Sequence, residues 1–308
     1  MAGRTAIDVI GNTPVVQLRK VVPPGAADVL VKLEWFNPTG SYKDRMALAM
    51  VEEAEKRGDL RPGMTVVEYT GGSTGSSLAF VCAVKGYRFE VVSSDVFAAE
   101  KLRTMTAFGA DLVIEPGIGS VITPDLVPRM MVRAGELAAK PGRYFTNQIL
   151  NTDALVGYRK VGEELLAQVD GPIDVFCAAA GTAGLVMGVA YALRDGGSQA
   201  RIVAFEPASS PVISGGDAGP HKVEGIGIGF VPPLLDRDLL DEARPVDEAE
   251  GRAMSRRLAA EEGILAGISS GLNVAGAVRI AAELGAGHTV VTVAVDTGLK
   301  YLGGDLFT

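Results

Sequence analysis

Short apolar runs alternate with helix-period stretches along almost the whole chain. Residues 27–35 predict a strand. Residues 41–57 predict a helix whose apolar side carries Met46, Leu48, Ala49, Val51 and Ala54. A turn and strand follow at 61–69, then an apolar helix at 76–85 with Gly86 as its C-cap. A strand at 88–94, a helix at 98–108, a strand at 110–116, a helix at 124–140 and a short strand at 143–148 complete the first half. The second half repeats the alternation: a helix at 154–168, a strand at 173–180, a helix at 185–194 and a strand at 200–207. After a loop-rich stretch at 208–235 come helices at 248–262 and 270–284 and a buried strand at 288–295. Strands that are apolar at nearly every position, each followed by a helix, predict mostly parallel sheets covered by helices. Ligands in such folds sit beyond the carboxyl ends of strands, so the turns there are where chemistry is to be sought.

Composition narrows the field. A chain of 308 residues exceeds the roughly 250–300 at which single cores stop growing, which predicts either one large α/β unit or two subdomains sharing a cleft. Lys and Arg total 29 against 37 Asp and Glu, a net charge of −8 with no basic stripe, which excludes nucleic acid as a partner. Cys82 and Cys177 lie in separate apolar runs and read as buried, reduced thiols of a cytoplasmic protein. Two histidines, His221 and His288, are too few for a structural zinc site, and no metal is expected. No run reaches about 18 apolar residues, and the first residues have no apolar signal core, so no membrane association is expected.

Four turns after strands or before helices hold small, polar or cationic residues. Lys43 stands at the head of the 41–57 helix. It reads either as a solvated surface residue or as a partly desolvated amine, nucleophilic toward a carbonyl. Residues 68–75, EYTGGSTG, place hydroxyls between glycines at a helix start, as an anion site or a simple capped turn. The small-residue turn at 180–184 suits a phosphate but lacks the nucleoside-triphosphate and dinucleotide patterns. Ser269 and Ser270 precede another helix and read equally as caps.

Taken together, eight motifs in one order resemble the cysteine synthase / cystathionine β-synthase family, the fold type II enzymes that use pyridoxal 5′-phosphate. They are NTPVVQL (12–18), KLEWFNPTGSYKDR (32–45), EYTGGSTG (68–75), GTAG (181–184), EPASSPVISGG (206–216), GPHKVEGIGIGF (219–230), EEGILAGISSG (261–271) and DTGLKYL (296–302). The resemblance implies an α/β protein of two subdomains, each a mostly parallel twisted sheet covered by helices, with the cofactor in the cleft between them. Residues 41–147 would form the smaller, mobile part; 1–40 and 148–308 would form the larger. It implies that Lys43 is the Schiff-base lysine and that Gly181, Thr182, Ala183, Gly184 and Leu185 hold the cofactor phosphate. Ser269 would face the pyridine nitrogen. Thr70, Gly71, Gly72, Ser73 and Thr74, with Gln148, would bind the substrate α-carboxylate, and Gly225, Ile226 and Gly227, in a loop reaching Gly229, would shape the cleft. The implied reaction is β-replacement on a β-substituted L-serine through an aminoacrylate, by default O-acetylserine plus sulfide giving L-cysteine and acetate, in a homodimer.

Three departures from the family pattern bear on substrate. Ser73 replaces an asparagine that bonds the cofactor's 3′ oxygen. Gly71 replaces a serine that touches substrate, which is expected to enlarge the site and favour a bulkier donor or acceptor. Ala183 and Leu185 replace a glycine and a threonine of the phosphate loop. The alternatives are a β-lyase or dehydratase on the same cofactor, a different donor or nucleophile, a non-catalytic relative acting as a binding partner, and a nicotinamide oxidoreductase.

Overall fold

A computed structural model describes residues 4–117, 123 and 125–308. In chain order the elements are β1 (Val15–Gln17), β2 (Asp28–Leu33), α1 (Lys43–Arg57), β3 (Thr65–Tyr69), α2 (Ser73–Lys85), β4 (Arg88–Ser94), α3 (Ala99–Ala107), β5 (Asp111–Glu115), α4 (Leu126–Ala138) and β6 (Arg143–Phe145). There follow α5 (Asp153–Gln168), β7 (Val175–Ala179), α6 (Gly184–Asp195), β8 (Arg201–Pro207), β9 (Glu242–Val246), α7 (Glu248–Arg257), α8 (Ile268–Leu284) and β10 (Thr289–Ala294). The expected start of the 124–140 helix, Pro124, lies outside the described residues. Residues 258–262, expected to continue α7, form a π-helical turn that ends at the left-handed Gly263.

The chain divides into two compact units. One comprises the chain up to Ile10 with Lys43–Gly157, the other Gly11–Tyr42 with Tyr158–Thr308. The first holds a four-stranded, all-parallel sheet in the order β5-β4-β3-β6. The second holds a six-stranded sheet in the order β1-β2-β10-β7-β8-β9, parallel except for the antiparallel pair β1–β2. The central strands are apolar and buried, as their sequences require: Val66, Val67, Val91, Phe176, Cys177, Val203, Val290 and Val291 have 2% exposure or less. Sequence periodicity misses the two edge strands of the six-stranded sheet. β1 is only three residues long, and β9 reads EARPV, with a proline that an edge strand tolerates and an inner one would not.

The NTP and NP motifs owe their place to a buried polar network in the second unit. Lys32 is fully buried, and its ammonium donates to the Thr13 carbonyl (2.9 Å) and Gln168 Oε1 (2.7 Å) and pairs with Glu164 (2.8 Å). The Thr13 hydroxyl donates to Glu34 (2.6 Å), Asn37 Nδ2 donates to the same carboxylate (2.9 Å), and Gly11 N–H donates to Asn37 Oδ1 (2.8 Å). The segment before β1 is thereby tied to β2 and to the last turns of α5. Cys82 and Cys177 are buried free thiols, pushed up to about 12 by burial. Among the described residues no helix is long and apolar enough to cross a membrane.

Lys32→Met removes the ammonium that balances Glu164. It is expected to lower the unfolding free energy by about 3 kcal/mol, the low end for a broken buried pair because Glu164 keeps some access to water. Urea unfolding of the two proteins measures it.

Candidate active site

In the first unit β3 lies between β4 and β6, so the segments leaving β3 and β6 run side by side at the carboxyl edge of the sheet. Parallel α/β sheets bind ligands at such a crevice. α2 begins at Ser73, three residues before its expected start, with Gly72 as N-cap and no side-chain cap. Ser73 and Thr74 therefore occupy its first turn. Gly72 N–H donates to Thr70 Oγ1 (3.1 Å). The Thr74 hydroxyl donates to Gln148 Oε1 (2.7 Å), and Gln148 Nε2 donates to the Tyr69 carbonyl (3.4 Å). Thr74 and Gln148, 74 residues apart in sequence, are thus one unit of structure. A helix start beside a hydroxyl and an amide suits a carboxylate.

Gly71 does not leave open space, contrary to expectation. A β-carbon there would lie 2.3–2.4 Å from three ring atoms of Phe97. Phe97 follows β4 and packs on the cluster containing Val67, Tyr69 and Ile149.

Lys43 is the first residue of α1 and is 8% exposed. Burial lowers its ammonium from 10.5 to about 8, while the negative charge of Glu68 works against that shift. A neutral amine is therefore within reach near neutral pH, and that is the form that attacks a carbonyl. Glu68, overlooked as a site residue in the sequence, is fully buried at the end of β3. Its carboxylate accepts from Tyr69 N–H (2.9 Å), the Thr146 hydroxyl (2.8 Å) and Gln148 N–H (3.0 Å). Burial nevertheless pushes the acid up from 4.5 to about 7; these three donors and Lys43 oppose it. Its sequence signal was a charge in an otherwise apolar strand, TVVEY.

In the second unit the turn after β7 carries Gly181, Thr182 and Ala183 into α6, which starts at Gly184 with Leu185. All five residues are buried. The helix has no side-chain cap, and a helix start of this kind attracts anions. A β-carbon on Gly181 would stand 2.1 Å from the Gly225 carbonyl oxygen, and Gly227 N–H donates to Ala180 O (3.3 Å). The 180–184 turn and the Gly225–Ile226–Gly227 loop thus meet backbone to backbone. Gly225, Gly227 and Gly229 all have positive φ, and His221 Nε2 lies 2.8 Å from the Gly227 oxygen as its donor. α8 begins at Ile268 with Gly267 as N-cap, so Ser269 sits in the first turn and caps nothing. Asn273 in the same helix accepts from Ala179 N–H (2.7 Å) and donates to Val293 O (2.8 Å). It ties the Ser269 helix to the strand end that precedes the 180–184 turn; a lone amide in an apolar helix was the signal for it.

Comparison with known proteins gives this geometry its context. Residues 7–296 match the model of the family described as pyridoxal-phosphate dependent enzyme. The chain belongs to that family. It is 45% identical over 302 residues to the cysteine synthase of Staphylococcus aureus (strain Mu50 / ATCC 700699), covering 97% of this chain and 96% of that protein. The fold is similar to the crystal structure of O-ureido-L-serine synthase, with a TM-score of 0.93 and 39% identity over 100% of this chain and 96% of that one. It is likewise similar to the cysteine synthase of Entamoeba histolytica, with a TM-score of 0.93 and 32% identity over 100% and 91%. The cofactor of this pyridoxal-phosphate dependent enzyme is accordingly pyridoxal phosphate, and the groups present suit it. The uncapped start of α6 beside a small-residue turn suits a phosphate, and the buried Lys43 amine suits an aldehyde.

Two expected outcomes follow. Glu68 holds its proton in the folded state between about 4.5 and 7, so its contribution to stability falls as pH rises through that window. In the cofactor-free protein, the melting temperature of wild type relative to Glu68→Gln should therefore decline from pH 4.5 to 7, and a flat difference would refute the assignment. Ala183 is an L residue in the left-handed region, with φ 63°. Relief of that strain is worth roughly 1–2 kcal/mol, against about 0.4–1 lost to glycine's freedom in the unfolded chain. Ala183→Gly should raise stability by about 0.5–1 kcal/mol in urea unfolding.

Proposed function

We propose that this enzyme carries out β-replacement on O-acetyl-L-serine with sulfide, giving L-cysteine and acetate. The carrying observation is the buried Lys43 amine in the same compact unit as the Thr70–Thr74 turn and Gln148. Full-length similarity to cysteine synthases supports it. Pyridoxal phosphate, when bound, supplies the electron sink that lets the Cα–H bond break and the β-substituent leave. In this reading Lys43 would hold the cofactor through its amine, and the same amine would move the proton at Cα. Gly181, Thr182, Ala183, Gly184 and Leu185 would hold the phosphate through backbone N–H groups and the Thr182 hydroxyl. Ser269 would offer a neutral hydroxyl to the pyridine nitrogen, and Ser73 would be the residue toward the cofactor's 3′ oxygen. Thr70, Gly71, Gly72, Ser73, Thr74 and Gln148 bind the α-carboxylate. Gly225, Ile226 and Gly227 line the substrate side of the phosphate turn. The protein works as a cytoplasmic homodimer in this proposal; the two buried free thiols agree with a reducing compartment.

The likeness to O-ureido-L-serine synthase favours a second reading, β-replacement with an acceptor other than sulfide. Assays with O-acetyl-L-serine and either sulfide or hydroxyurea separate the two, and pyruvate formed without any acceptor would instead indicate a lyase. Borohydride treatment of the loaded enzyme should fix the pyridoxyl group on the peptide containing Lys43. Lys43→Ala should lose turnover by at least about a thousandfold, the combined effect of removing a covalent anchor and a general base. A label on another lysine would overturn the assignment.

A further inference from the structure

We propose that Phe97 is a specificity-determining residue, its ring standing in for the side chain that Gly71 lacks and forming one wall of the substrate-carboxylate site. The proposal rests on the reading of Thr70–Thr74 and Gln148 as that site.

The geometry is close-packed. A β-carbon built on Gly71 would lie within 2.4 Å of ring atoms Cγ, Cδ1 and Cε1 of Phe97, so the ring occupies the direction in which a residue-71 side chain would point. Neither residue is fully covered; both keep partial access to water. Phe97 sits on a turn held by its own N–H to the Ser94 carbonyl (3.3 Å), and the neighbouring Asp95 accepts from Gly117 N–H (2.8 Å). The ring also packs on the cluster of Tyr69, just before the Thr70 turn, and Ile149, just after Gln148. One aromatic side chain from the β4 turn therefore touches the turn after β3 and flanks the segment after β6. These are the segments whose Thr74 and Gln148 side chains are bonded together.

The chemistry follows from the position. A carboxylate held here meets hydroxyl, amide and backbone donors on one side and an aromatic ring beside them. The ring excludes water and lowers the local dielectric, which strengthens the remaining hydrogen bonds. The loop thus replaces a side-chain hydroxyl donor at position 71 with shielding. A hydroxyl cannot simply be restored there, because the ring has to leave first. Gly71 and Phe97 form an exclusive pair: glycine with a large ring, or a larger residue without one.

A double-mutant cycle on the enzyme loaded with pyridoxal phosphate tests this. The probe is L-alanine, which has the α-amine and α-carboxylate of the substrate and no β-leaving group; its affinity is measured by calorimetry and folding by melting temperature. Gly71→Ser alone should weaken L-alanine roughly tenfold and lower the melting temperature, since overpacking of this kind is destabilising. Phe97→Ala alone should weaken L-alanine several-fold. The double variant should recover to within about threefold of wild type, a coupling expected only of residues in contact. Additive losses, or an unimpaired Gly71→Ser, would overturn the proposal. So would melting temperatures that move while L-alanine affinity stays constant, since Phe97 would then be only a structural support. L-Alanine binding does not depend on which donor or acceptor the enzyme uses, so failure to make cysteine would count against the proposed reaction alone.

Discussion

A carboxylate with no contact with water stands next to the end of β3, and the arrangement of the first unit's site turns on it. An unpartnered buried carboxylate would be prohibitively costly, so the structure surrounds Glu68 with donors: its own next N–H, a hydroxyl on the segment after β6, and the Gln148 N–H. Satisfying that one group fixes the Gln148 backbone against the turn that begins at Thr70. Gln148 then meets Thr74 on the first turn of α2. The same charge works against the loss of positive charge on Lys43, whose amine is otherwise pulled toward neutrality by burial.

The proposed phosphate site of the second unit relies on backbone instead of charge. A phosphate is best held by N–H groups, and these can converge only if no side chain intervenes. Gly181 meets the Gly225 carbonyl at a distance that forbids a β-carbon, and three glycines at positive φ carry the loop past it. Ala183 takes a left-handed conformation in the same turn at some cost in strain. Asn273 passes the order onward, from the strand end before this turn to the helix of Ser269. The functional turns in both units are thus supported by buried polar groups that touch neither substrate nor cofactor in the proposed reaction.

Much of this was legible in the sequence. The β4 strand falls where 88–94 predicted it, and the alternation of apolar strands with helices implied parallel sheets before any coordinates. Apolar periodicity is a local property, and a buried parallel strand must be apolar on both faces. The motifs likewise fell on the turns that follow β3 and β7, because glycines and small residues suit a tight turn between strand and helix. Helix starts were less legible. α2 and α8 each begin earlier than expected, at Ser73 and Ile268, because hydroxyls and glycines suit both a loop and a first turn; only the hydrogen bonds distinguish them. β1 and β9 escaped because edge strands need neither length nor continuous apolarity.

What the sequence alone determined is the class of each segment and the identity of the residues offered at each turn: a lysine at the head of α1, hydroxyls after β3, small residues after β7, a serine at the start of α8. What only the tertiary structure decided is which of them share a neighbourhood. The strand order β5-β4-β3-β6 puts Gln148 beside Thr74 and Thr146 against Glu68. The approach of the β4 turn sets Phe97 on Gly71, where the glycine by itself had suggested empty space. A glycine specifies only the absence of a side chain; whether solvent, substrate or a neighbouring ring fills that absence depends on contacts between residues far apart in the chain, and those are made only when the sheet is assembled.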